Sequence, residues 1–173
     1  MSSWNQRTGK KVTTKKGASG NTWQNVDVDA IYSKMRDAIS RRVEYQRQQD
    51  AVWARIKRTH CNGTRELDEI DRKIGAETHK INCLISELCQ YRKTHRAMNL
   101  AYTYICKEIE RARRTAESNA NTVRRVNAGR SVLIRSTGVS HTDTTHLAKY
   151  VQQKYAQVAR LEKWKQYVAR YRV

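Results

Sequence analysis

The side chains best equipped for chemistry are His79 and Cys83, spaced i,i+4 and so on one face of any helix that carries them. Two donors at that spacing can share a metal ion, and Cys89 stands a little further on as a third. No second histidine stands near enough to complete a tetrahedral set, and the plain reading is a thiol beside a solvated histidine. His60 and Cys61 make the other pair, in which an imidazole would draw off a thiol proton. Adjacent residues on a helix point about 100° apart, which works against that contact. The chain supplies no paired carboxylates with a third partner, no glycine-rich phosphate loop and no nucleophile elbow. The expectation is a protein with no enzymatic activity, no metal or other cofactor and no small-molecule substrate.

Charge is the second chemistry on offer. Among 173 residues, 35 are Lys or Arg and 16 are Asp or Glu, for a net charge of +19. The surplus sits at the two ends. Lys10, Lys11, Lys15 and Lys16 belong to an acid-free first segment, residues 1–26, while the stretch after residue 120 carries only Asp143 and Glu162 as acids. Arg111, Arg113, Arg114, Arg124, Arg125, Arg130 and Arg135 form a ladder suited to neutralising phosphates or protein carboxylates. The final residues set Lys163, Lys165, Arg170 and Arg172 among Trp164, Tyr167 and Tyr171, as a surface that stacks RNA bases would. The blander alternative is a helix whose aromatics face a neighbour and whose cations stay in water. Such asymmetry points to an acidic polymer as partner, whether nucleic acid, a tubulin surface or an anionic membrane.

The element that must position these groups runs from Val28 to Val126. Alternating strides of four and three follow the a/d seam of a heptad repeat across the whole span without a stutter. Its strongest part holds Leu67, Ile70, Ile74, Ile81, Leu84, Leu88, Tyr91, Met98, Tyr102, Ile105 and Ile109, which are expected to bind a partner helix or groove. Arg42, Gln46 and Gln49 make one polar patch in the seam, and Gly63 and Glu77 are single lapses. A rod of that length cannot bury its own seam, so the chain either folds back on itself or uses a partner. Asn62-Gly63 is the one internal breaker. A cap there would give a helical hairpin with Thr64 starting the second arm. The unbroken heptad phase favours a continuous or merely kinked helix.

Around this helix the remaining segments are simpler. Residues 1–26 are polar, basic and aperiodic and read as an extended arm with Trp4 and Trp23 as anchors. A mitochondrial presequence would carry Leu, Ile or Phe, and the arm has none. Asp27 and Asp29 are placed to cap the first helix. Residues 127–143 form an irregular linker in which Gly129 and Gly138 bound Val132-Leu133-Ile134, a run that forms a strand or packs on the bundle. Residues 144–173 give a basic, aromatic C-terminal helix. There is no Pro, and the four cysteines form no CxxC pair. Free thiols in a reducing compartment follow, together with no secretory signal and no membrane span.

The segment from Leu88 to Ile109 resembles the tektins, coiled-coil filament proteins of ciliary and flagellar microtubules. The match rests on Leu88, Cys89, Arg92, Arg96, Asn99-Leu100 and Glu108-Ile109. Asn99 stands where the family has an acid, and the Arg-Pro-Asn loop signature is missing. The resemblance implies an axonemal structural protein, placed in the cytoplasm on the cytoskeleton of a cilium or flagellum. Its partners would be the tubulin lattice or other coiled-coil proteins. The combined expectation is an elongated, all-α, non-enzymatic protein that docks along an acidic assembly, a doublet microtubule first. The alternative is an RNA-binding accessory protein of a ribonucleoprotein such as an organellar ribosome, with a mitochondrial location.

Overall fold

The computed structural model describes residues 22–90 and 95–172. Lys10, Lys11, Lys15, Lys16, Trp4 and Tyr91 lie outside the described residues. The fold is all-α. Its helices are α1 (Thr22–Thr59), α2 (Thr64–Leu88), α3 (His95–Asn127) and α4 (Thr145–Ala169). Between α3 and α4 a short antiparallel hairpin pairs β1 (Leu133–Ile134) with β2 (Ser140–His141). α1 begins ahead of Asp27 and Asp29, so both positions fall within the helix rather than at its start.

Contrary to the continuous or kinked rod that the heptad phase favours, the helix stops at Thr59 and a second one starts at Thr64. His60, not Gly63, adopts the left-handed conformation (φ 54°) that ends α1. The Asn62 Oδ1 then accepts the Thr64 N–H at 2.9 Å and starts α2. Gly63 is needed for space rather than for its dihedrals: a Cβ there would sit 2.5 Å from Ile56 Cδ1. Its N–H donates to the Ser136 carbonyl at 2.8 Å, tying this turn to the β-hairpin. Because Gly63 itself points at the core, the heptad phase passes through a fold-back undisturbed.

The ion pairs and hydrogen bonds give the helix directions. Arg41 meets Glu77 and Gln49 meets Asp71, so α1 and α2 are antiparallel. Arg42 meets Glu108 and Arg96 lies over Tyr32, so α1 and α3 run parallel. Thr144 meets Asn127 while Arg172 meets Asn99, so α4 returns antiparallel along α3. The result is an up-down-up-down arrangement in which α1 packs chiefly on α2 and α3 on α4. The longest helix, 38 residues, spans about 57 Å.

The core has two apolar parts. Met35, Ile81, Ile85, Leu88, Met98, Ile105 and Val168 are wholly buried in the larger, which all four helices build. Val52, Ile56, Leu67 and Ile70 form the smaller, with Ile134 of the β-hairpin packed against it. Burying each such side chain contributes about 1.5–3 kcal/mol. Leu133 and Ile134 thus pair as a strand and Ile134 packs on the bundle, while Val132 stays exposed.

Between the two apolar parts lies a polar layer. Arg42, Gln46 and Glu77, three of the lapses of the seam, are buried where the heptad phase puts them, while Gln49 is half-buried. The Arg42 guanidinium grips both Glu108 carboxylate oxygens, at 2.5 and 2.6 Å, and its Nε donates to Thr78 Oγ1 at 2.8 Å. It also sits 5.6 Å from the centre of the Tyr104 ring. Burial pushes the Tyr104 phenol up to about 12, so that hydroxyl stays protonated. Gln46 accepts from Arg111, and Glu77 takes hydrogen bonds from Arg41 and Lys80.

Candidate functional site

The predicted partner-binding seam is the inside of the molecule. Leu67, Ile70, Ile81, Leu88, Met98, Ile105 and Ile109 are buried against the chain's own helices, and Ile74, Leu84 and Tyr102 are half-buried beside them. A surface that closes its own core is not open to a second protein, so the expected seam docking is corrected. The fold-back at His60–Gly63 is the cause, since it lets one heptad stripe meet another in the same chain.

The cations divide into two groups. Arg113 pairs with Glu162, Arg114 with Glu110 and Lys165 with Glu162, while Arg111 bonds Gln46 and approaches Asp50. Arg172 stacks 4.0 Å above the Tyr102 ring and donates to Asn99. Arg111, Arg113 and Arg172 tie one element to another, while Arg114 and Lys165 pair within their own helices. Lys163 and Arg170 are exposed. Arg124, Arg125, Arg130 and Arg135 are also exposed, and among the described residues none of them makes an ion pair within 4.0 Å. Arg124 donates only to Asn121, and Arg135 is close enough to Asp143 to help hold that carboxyl below its usual value, behind the hydrogen bonds from Thr145.

The architecture gathers these four arginines at one end. Arg124 and Arg125 close the last turn of α3, where the helix dipole favours cations. The Arg130 N–H donates to the Arg125 carbonyl at 2.9 Å, turning the chain into the β-hairpin that carries Arg135. The hairpin meets the α1–α2 turn through Gly63 and Thr64 on Ser136, and a Cβ on Gly138 (φ 78°) would collide with the His60 carbonyl. That contact brings in Lys57 and Arg58, both exposed in the last turn of α1. Sequence reasoning missed Lys57 and Arg58, because their neighbours come from a turn that periodicity reads as continuous helix. Among the described residues, the opposing carboxylates at this end are partly spent: Glu66 on Arg55, and Asp143 on the first turn of α4.

A second feature lies between α2 and α4, which touch little. A cavity of about 360 Å³ is lined by Thr78 and Asn82 of α2 and by Gln157, Arg160, Leu161 and Trp164 of α4. Arg42, Tyr104 and Glu108 form its floor. A neighbouring hollow of about 430 Å³ continues along α4 past Lys154 and Tyr150, sharing Gln157 and Arg160.

The redox- and metal-type candidates do not assemble. Cys83 Sγ and His79 Nε2 are 3.6 Å apart on the exposed face of α2, and Cys89 is half-buried with its thiol pushed up by desolvation. Among the described residues no three His, Cys, Asp or Glu side chains are grouped to hold a metal. Cys61 accepts from the Thr59 hydroxyl rather than from His60. Among the described residues no helix is long and apolar enough to cross a membrane. Comparison of the chain with protein-family models, curated proteins and solved structures gives no match.

Proposed function

We propose that this is a non-enzymatic structural protein that binds RNA phosphates through the cationic end of its bundle, as an accessory component of a ribonucleoprotein. The observation that carries this reading is the convergence of Lys57, Arg58, Arg124, Arg125, Arg130 and Arg135 from two helix ends and a β-hairpin. Helix-dipole complementarity explains the four on helices but not Arg130 and Arg135, which lie beyond α3. Exposed Tyr150, Tyr155 and Tyr167 stand among the Lys and Arg residues of α4 and favour bases over plain carboxylates as the acidic partner.

The axonemal microtubule is the second reading. It keeps the resemblance at Leu88–Ile109 and would use the same cationic end against tubulin carboxylates, but it loses the seam as its docking surface. Parallel binding assays separate the two. The full chain is titrated with fluorescent RNA and, separately, co-pelleted with microtubules in the same buffer. RNA binding that saturates while the chain stays in the microtubule supernatant supports the proposal. Co-pelleting without RNA binding moves the assignment to the axoneme.

A further inference from the structure

We infer that the cleft between α2 and α4 is a track for single-stranded RNA, in which one base enters the 360 Å³ cavity. This rests on the RNA reading above and assigns it a strand type and a second site, along α2 and α4.

The walls have the right chemistry. Asp71, Gly75, Thr78 and Asn82 recur at i, i+4, i+7 and i+11 along α2 and share one face. On α4 the facing series is Tyr150, Lys154, Gln157, Arg160 and Trp164. Aromatic residues thus stand at both ends, with amides and cations between them, as in grooves that track a strand and stack its bases. Lys154 already lies 5.1 Å from the Tyr150 ring centre. From Tyr150 to Trp164 the wall is ~21 Å long, the length of about six stacked nucleotides at ~3.4 Å each.

The charges on the floor and rim leave Arg160 available. Arg42 and Glu108 neutralise each other at the bottom, and Lys154 faces Asp71 across the cleft. Arg160 is exposed at the rim and makes no ion pair among the described residues. The Asn82 side-chain amide likewise has no hydrogen-bond partner among them, and it faces Trp164 across the cavity. A base stacked on the Trp164 indole would meet the Asn82 and Gln157 amides at its edge, with its phosphate on Arg160. A duplex cannot present a base this way, because its bases are paired and stacked inward.

Gly75 stands one turn before Thr78 on the same face of α2. A helix-interior glycine destabilises a helix relative to alanine, and nothing lies within 4 Å of where its Cβ would be.

The test measures binding of the full chain to a short single-stranded RNA and to a duplex of equal phosphate number. The parent should bind the single strand about tenfold tighter. Gly75→Glu and Arg160→Gln both change exposed positions that leave the core intact, and Gly75→Ala controls for helix strength. Each of the first two should remove the single-strand preference and leave duplex binding unchanged, whereas Gly75→Ala keeps it. Neutralising Arg124, Arg125, Arg130 and Arg135 should weaken both ligands alike. Equal affinity of the parent for the two RNAs, or a preference that survives Gly75→Glu and Arg160→Gln, overturns the cleft assignment while leaving RNA binding by the cationic end in place. Failure to bind either RNA removes the parent proposal and the cleft with it.

Discussion

At the residue scale, the polar lapses of the seam carry the strongest expectations. Arg42 is 7% exposed, and its carboxylate partner Glu108 is nearly as buried. Arg42→Ala would leave Glu108 as an unpaired charge in the interior, so a loss of about 3–5 kcal/mol is expected by urea denaturation. The double change Arg42→Met with Glu108→Leu removes both charges together and should recover most of that loss. Glu77 supplies a pH dependence. Burial alone would raise its carboxyl, but hydrogen bonds and charge from Arg41 and Lys80 outweigh this and hold it below 4.5. A depressed carboxyl contributes stability above its unfolded value, lost as pH falls through the folded one. Glu77→Gln should therefore be less stable than the parent at pH 7, with the gap closing as pH drops below 4.5. Gly63→Ala tests the turn: the added methyl meets Ile56 and should cost about 1–3 kcal/mol, read as a lower unfolding midpoint.

At the scale of the elements, the helices are legible in the sequence and their connection is not. The heptad stripe names Leu67, Ile70, Ile81, Leu88, Met98, Ile105 and Ile109 as apolar contact positions, and all seven are buried. It also places Arg42, Gln46 and Glu77 inward, which composition alone would put in water. Periodicity reports which face is buried but not what buries it, so a seam facing its own chain looks the same as one facing a partner. The break is hidden for a related reason: the left-handed residue is His60, a type that carries little turn signal, while Gly63 serves a close approach. The cationic end is half legible. Arg124, Arg125, Arg130 and Arg135 stand together in sequence, but Lys57 and Arg58 join them only through the hairpin's contact with the α1–α2 turn. The cleft is not legible at all, because Thr78, Asn82 and Arg160 are unremarkable until α2 and α4 run side by side. One consequence is direct. Ile81 is wholly buried, so Ile81→Asp should unfold the bundle, with helical circular dichroism abolished and about 4 kcal/mol or more of stability removed.

For the whole molecule, an apolar interior built by all four helices and a charged exterior divide stability from recognition. The interior uses the heptad stripe and a satisfied polar layer, and it consumes Arg42, Arg111 and Arg113 in doing so. On the RNA reading proposed above, the surface left for a partner is electrostatic, concentrated where two helix ends and a β-hairpin meet. Binding of that kind is governed by counterion release, so it falls with salt in proportion to the phosphates neutralised. The most direct measurement is therefore the affinity of the full chain for single-stranded RNA across a salt series, compared with a variant in which Arg124, Arg125, Arg130 and Arg135 are glutamine. A steep log–log slope is expected for the parent and a slope shallower by about 3 for the variant, at ~0.7 for each phosphate no longer neutralised. The same slope in both proteins would contradict it, since the arginines would then lie outside the interface.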